Sequence, residues 1–357
     1  MSTDKFRIDS HKLHLHPKRV SKWMAGEDVA PIYMEVSPSG SCNHRCRFCG
    51  YDFMEYVPKF LDHDIYKERI ANIAETGVKS VMFSGEGEPF MNKKFTDICI
   101  ATIDVGIDVG ITTNGVLMTP EKIEKIIHGV SWVKVSCNGM TPGSYQEVHR
   151  SPDGDFEKVI SNLKEAIAIR KRTGAKCAFG LQSVLLPESA ADMKRLTLLC
   201  RDIGLDYIVI KPYSQHPQGI TKEFEGLTYE EFVDLGVELK ELETESFKVI
   251  YRGKAMSRLQ AEERGYERCL ALPFWSYMDV ESNIWGCGIF IGDEHFFYGN
   301  LKEQSFKELW ESDKRKESLE WCNAHLDSQQ CRINCRMDKV NVYLWELQNP
   351  GPHVNFI

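Results

Sequence analysis

The segment Cys42-Asn-His-Arg-Cys46-Arg-Phe-Cys49 sets three cysteines in a C-x3-C-x2-C run, just after the apolar stretch Pro31 to Val36. Three thiolates this close can ligate three irons of a 4Fe–4S cube and leave the fourth iron open. An open iron coordinates an exogenous molecule, which a fully ligated electron-transfer cluster cannot do. Closely spaced cysteines also bind zinc, the competing reading of the run taken alone.

These thiols must be carried by a framework. From residue 31 to about 210, short β-branched runs alternate with amphipathic stretches. The runs Pro31–Val36, Val78–Phe83, Val109–Thr113, Trp132–Ser136, Cys177–Leu185 and Tyr207–Ile210 read as six strands. Helices are expected at 62–76, 93–105, 120–128, 155–172 and 190–203, with Gly77 and Gly204 as stops and Pro120 as a start. Strands alternating with helices imply a parallel sheet with right-handed crossovers. Eight strands would close a barrel, so six predict an open α/β fold, a partial (β/α)6 barrel of the TIM type, with chemistry at the carboxyl ends of the strands. A helix at 229–241 closes this unit, and the charged stretch 240–245 marks a boundary. Beyond it a strand at Phe247–Arg252, a hairpin of Phe274–Val280 with Asn283–Ile289, and helices at 305–318 and 336–348 make a small α+β domain. The expected division is 1–30 as an extension, 31–245 as the barrel and 246–357 as the C-terminal domain.

The cysteine spacing resembles that of the radical S-adenosylmethionine (SAM) superfamily, in which the open iron chelates the amino and carboxylate groups of SAM. The second strand ends in Ser84-Gly85-Glu86-Gly87-Glu88-Pro89, similar to the superfamily's glycine-rich motif, with Glu86 where relatives often carry glycine. Glycines let backbone carbonyls approach an ammonium, and Glu88 can accept a charge-assisted hydrogen bond from it. The third and fourth strands end in Thr112-Thr113-Asn114-Gly115 and Ser136-Cys137-Asn138-Gly139; the resemblance implies Ser136 beside the SAM ribose, whereas Asn138 replaces a common aspartate. It further implies that Arg150, at the end of Tyr145-Gln-Glu-Val-His149-Arg150, pairs with the SAM carboxylate, a contact suited to a guanidinium. Phe48 is expected near the adenine, with Asn114 and Gln182 completing the SAM contacts.

Downstream, Cys269, Cys287, Cys331 and Cys335 follow the order of the SPASM/twitch extension of radical SAM enzymes, which carries auxiliary iron–sulfur clusters. Two such clusters need eight thiolates, and only five cysteines lie in this region, so one auxiliary 4Fe–4S cluster is expected. Cys322 is a substitute for any of the four, and a structural zinc held by four thiolates fits the same pattern. Cys99, Cys177 and Cys200 read as small core residues. Cys137 adjoins Ser136 and is a candidate hydrogen-atom donor, although strand alternation turns it toward the sheet–helix core.

For substrate, Asp52 and the cluster Lys211, Tyr213 and His216 at the end of the sixth strand can bind hydroxyl, carboxylate or phosphate groups. His11, His14 and His16 read as an alternating strand or surface segment, and the apolar end, Pro352 to Ile357, as a tail docked on the protein. A net charge of −8 argues against dedicated nucleic-acid binding. Mean hydropathy of −0.34, no bilayer-length apolar run and no secretion signal predict a soluble, cytoplasmic, oxygen-sensitive protein without membrane contact. The resemblance implies a radical SAM oxidoreductase of dehydrogenase type, which uses SAM and two 4Fe–4S clusters on a small polar, carbohydrate-like substrate. A flavodoxin- or ferredoxin-type protein would donate electrons. Redox-neutral epimerisation and peptide modification are the competing activities.

Overall fold

The computed structural model describes residues 6–261 and 264–356. Strands β1 (Tyr33–Val36), β2 (Ser80–Phe83), β3 (Asp108–Thr113), β4 (Val130–Ser136), β5 (Ala178–Leu185), β6 (Tyr207–Pro212), β7 (Lys248–Tyr251), β8 (Trp275–Met278), β9 (Asn283–Trp285) and β10 (Phe297–Asn300) form one sheet. Its order is β10-β9-β8-β1-β2-β3-β4-β5-β6-β7, parallel from β8 through β7 and antiparallel at β9 and β10. The two ends, β7 and β10, are not paired with each other, so the barrel is open.

Helices cover the outside. α1 (Pro17–Met24) precedes β1, and α2 (His63–Thr76), α3 (Phe95–Asp104) and α4 (Pro120–Ile126) follow β1, β2 and β3. α5 (Pro142–His149) and α6 (Asp155–Thr173) follow β4, α7 (Pro187–Ala190) and α8 (Met193–Ile203) follow β5, and α9 (Val233–Lys240) and α10 (Gly253–Arg258) flank β7. α11 (Phe306–Glu311), α12 (Asp313–His325) and α13 (Asp338–Gln348) end the chain. Asp62 starts α2 by accepting the Asp64 and Ile65 N–H groups, and Gly77 at φ 124° stops it. One continuous core, from Met34 and Val36 through Phe83, Ile111, Val135, Leu181 and Ile210, fills the space between sheet and helices.

The six expected strands and five expected helices of the barrel are present with shifted ends. The parallel sheet takes two further strands from beyond residue 245: β7 adds to β6, and β8 adds to β1. Local pattern shows a strand but not its partner. α5 is an addition, opened by the reciprocal Thr141–Ser144 capping box with Pro142 at its first position. The helix expected at 305–318 is broken at Ser312, whose side chain caps α12 by accepting the Arg315 N–H. The His11–His16 segment is no strand; Leu13–Leu15 forms a 3-10 turn, and Pro17 starts α1. The tail through Phe356 is exposed rather than docked, with Phe356 84% accessible. α1 and α13 pack their apolar faces on Phe274 through Val20 and Leu344.

Candidate functional site

The loop after β1 carries Cys42, Cys46 and Cys49, and the end of α5 holds it in shape. Arg45 and Arg47 donate backbone N–H groups to the carbonyls of His149 and Val148 at the end of α5 (3.2 and 3.0 Å). Cys46 Sγ lies 3.2 Å from His149 Nδ1. The other ring nitrogen, Nε2, accepts the Asn138 backbone N–H at 2.8 Å, so the proton sits on Nδ1 and is donated to the sulfur. His149 is wholly buried, with Tyr145 stacked on it at 4.2 Å and Phe48 edge-on at 5.5 Å. Burial, then nearby His44, holds its pKa well below the usual imidazole value, which keeps it neutral. His44 is braced in turn by Asp155, Nε2 to Oδ2 at 3.0 Å. Burial also pushes the Cys42 thiol up to about 12, with Glu88 adding to the effect. Thiolates in such a site need the positive charge of a bound metal centre.

The glycine-rich turn packs directly on this loop. A Cβ on Gly87 would fall 2.2 Å from the Ser41 carbonyl oxygen, so that backbone approach requires glycine. Gly85, at φ 112°, stands against Ser37 and the Tyr277 hydroxyl. Glu88 is buried and accepts from Phe90 N (3.1 Å), the Thr113 hydroxyl (2.6 Å) and Asn114 N (2.7 Å). It thereby ties the turn to the end of β3. Asn114 reaches on to Asn43 in the cysteine loop at 2.7 Å. Glu86 turns the other way, accepting from the Tyr277 hydroxyl at 3.3 Å. Burial, then neighbouring Asp279, pushes its carboxyl up to about 8.

Ser136 and Gln182 are register partners on β4 and β5 and share one face of the sheet. Cys137 is wholly buried in the sheet–helix core, its thiol 3.6 Å from the Gly139 carbonyl, as strand alternation requires with Ser136 on the opposite face. Arg150 is exposed at the end of α5 in the left-handed conformation (φ 44°), near Cys46. Phe48 packs among Val148, Val184, Leu186, Tyr213 and Phe224. Asp52 accepts the Ile220 and Thr221 N–H groups at 2.9 and 2.8 Å, fastening the loop after β6. Tyr213 is buried and donates to Gln215 Oε1 at 2.7 Å. Lys211 is partly accessible at the end of β6, and His216 is buried against Phe53 with ring centroids 5.0 Å apart.

Cys269, Cys287 and Cys335 converge in one cluster with Tyr33 and Val340, and Cys331 lies near Cys269. Cys322 packs next to Cys269 and Cys287 from the side of Trp285. Cys269 Sγ accepts from Asn341 Nδ2 at 3.6 Å and Cys287 Sγ from Ile289 N at 3.5 Å, contacts that steady a thiolate ligand. Among the described residues, no three of these thiols lie within 4.8 Å of one another.

Sequence reasoning missed His149, His44, Lys134, Arg332 and Arg336. Lys134 had a signal, because it stands two residues before Ser136 and shares its face of β4. His149 had none, since its role depends on α5 folding back onto the loop.

A family model described as the radical SAM superfamily matches residues 36–200. The probable GTP 3′,8-cyclase of Methanocaldococcus jannaschii is 31% identical over 198 residues, 52% of this chain and 61% of that protein. The AdoMet-dependent heme synthase of Methanosarcina barkeri is 24% identical over 303 residues, 79% of this chain and 83% of that one. Among solved structures, Streptococcus suis SuiB bound to precursor peptide SuiA matches with a TM-score of 0.64 at 18% identity, covering 84% of this chain and 69% of SuiB. Native anSMEcpe with bound AdoMet gives 0.60 at 15% identity, covering 87% and 88%. These two likenesses concern the fold.

Proposed function

We propose, from the match of residues 36–200 to the radical SAM superfamily model, that this enzyme oxidises a small polar, carbohydrate-like substrate by hydrogen abstraction, with an auxiliary 4Fe–4S cluster as electron acceptor. When bound, SAM and the first cluster supply a 5′-deoxyadenosyl radical by one-electron reductive cleavage, the step that opens an unactivated C–H bond. The observation that carries the reading is the cysteine loop itself. Three thiols of C-x3-C-x2-C spacing stand at the carboxyl end of β1, locked to α5 by His149 and to β3 through Asn43 and Asn114.

The chain's own residues do the rest. Cys42, Cys46 and Cys49 hold three irons and leave one open for SAM. In this reading Arg150 takes the SAM carboxylate, supported by its nearness to Cys46; Ser136 and Gln182, register partners on one face, take the ribose end, and Phe48 the adenine. Gly85 and Gly87 let the backbone close in, while Glu88 secures the turn through three protein donors. In this reading Cys269, Cys287, Cys331 and Cys335 hold the second cluster, and a position near the barrel mouth is supported by Arg332, next to Cys331, which donates to the Ser214 carbonyl after β6. A nearby acceptor makes a net two-electron oxidation natural. A flavodoxin- or ferredoxin-type protein supplies the initiating electron. The test is anaerobic reconstitution with SAM and dithionite, followed by mass spectrometry of metabolites incubated with the enzyme. A product two mass units lighter than its substrate supports the oxidation, and a product of unchanged mass refutes it.

A further inference from the structure

The open barrel presents cations that the handling of SAM does not use. On β4, Val133 and Val135 are buried while Lys134 between them is partly accessible; on β6, Lys211 is partly accessible between buried Ile210 and Pro212. Both lysines are deeply surrounded by protein; the charged groups acting on Lys211 are Lys134, Arg332, Arg252 and Arg336, and those acting on Lys134 are Arg336, Arg252 and Glu35. Glu35 is the one carboxylate acting on Lys134, and it is already engaged by Arg336 at 3.0 Å and by the Ser84 hydroxyl. Arg252 is paired with Asp9 at 3.1 Å. Arg332 donates to the neutral Ser214 carbonyl at 2.9 and 3.2 Å. That leaves Lys134, Lys211 and Arg332 without a carboxylate partner among the described residues.

Like charges gathered in a desolvated space are costly, and the cost is relieved when a lysine gives up its proton or when an anion joins them. Burial, with Arg336 and Arg252 next, pushes the Lys134 ammonium down to about 7. A neutral donor lies beside Arg332. His216 is 1% exposed, its Nδ1 accepts the Gln218 N–H at 3.2 Å, and its Nε2, which then carries the proton, has no partner. It and Arg332 flank Gly50, within 3.7 and 3.6 Å of the position a Cβ there would take.

We propose that the barrel binds its substrate through an oxyanion, a carboxylate or a phosphate ester, held by Lys134, Lys211 and Arg332 with His216 as a further donor. This deepens the proposed function and rests on it. Because Arg332 lies between Cys331 and Cys335, the bound anion also anchors the substrate next to the auxiliary cysteines. The SAM carboxylate is assigned to Arg150, on the α5 side, so the two anions do not compete.

The test is calorimetric titration of the anaerobically reconstituted, SAM-loaded full chain with inorganic phosphate, succinate and, as a neutral control, glycerol. Saturable binding of either anion, absent for glycerol, is expected. It should weaken at least tenfold in Lys211→Met and in Lys134→Met and survive in Lys211→Arg. Binding of succinate alone identifies a carboxylate substrate, and of phosphate alone a phosphate ester. Failure of both anions to saturate the wild-type protein overturns the proposal, as does equal binding by the Lys134→Met/Lys211→Met variant with iron content retained. Dithionite-driven 5′-deoxyadenosine formation by the same wild-type preparation separates the two claims. If it is present and anions do not bind, only this inference fails; if it is absent, the proposed function fails.

Discussion

Replacing His149 should shift the potential of the SAM cluster without removing it. The Nδ1–H group of the wholly buried His149 donates to the half-buried Cys46 Sγ at 3.2 Å. A hydrogen bond to a ligand sulfur stabilises the reduced, more negative cluster more than the oxidised one. A net hydrogen bond contributes about 0.5–1.5 kcal/mol. If most of that is expressed in the reduced state, His149→Ala lowers the midpoint by about 20–65 mV, since about 1.4 kcal/mol corresponds to 59 mV for one electron. His149→Ala also strands the buried Asn138 N–H, now 2.8 Å from Nε2, at a cost of about 1–3 kcal/mol. His149→Asn therefore serves as the second variant, because its side-chain amide reaches the Nδ1 position and should restore most of the potential. The assay is a redox titration followed by electron paramagnetic resonance, at matched iron content. A midpoint unchanged in His149→Ala, or displaced equally in His149→Asn, would refute the reasoning.

The remaining predictions concern pH, metal content and the auxiliary site. Glu86 is raised to about 8, so between the unfolded value near 4.5 and 8 the folded protein binds more protons and loses stability as pH rises. Glu86→Gln should accordingly raise the melting temperature at pH 8.5, by an effect bounded at roughly 5 kcal/mol, and change little at pH 5. Reconstituted protein should hold about eight iron atoms per chain; a reproducible value near twelve, or zinc at the second site, would contradict the single auxiliary cluster. Cys331→Ala/Cys335→Ala should still form 5′-deoxyadenosine yet make little oxidised product, whereas Cys137→Ala, in the core, should matter little. A product gaining one solvent deuterium and lost in Cys137→Ala would instead indicate epimerisation.

Much of the fold was legible because it is written in local periodicity. The β-branched runs, with helix signals such as Gly77 and Gly204, place six strands to within a few residues. The pairings of β7 and β8 were not legible, since register with β6 and β1 is decided by tertiary contact across long separations. The site divides the same way. Contiguous motifs identify Cys42, Cys46, Cys49 and the glycine-rich turn. The motif alone, however, presents Glu88 as a free acceptor, while three protein donors occupy it. His149, Arg332 and Arg336 acquire meaning only when distant segments meet, as in the Arg336–Glu35 pair that links residues 301 positions apart.

The central claim is that the loop after β1 holds a cluster that cleaves SAM. Anaerobically reconstituted protein incubated with SAM and dithionite should release 5′-deoxyadenosine and methionine in equal amounts, and the Cys42→Ala/Cys46→Ala/Cys49→Ala variant should release neither while keeping its auxiliary iron. Undiminished SAM cleavage by that triple variant, or none by a wild-type preparation with full iron, would contradict the account.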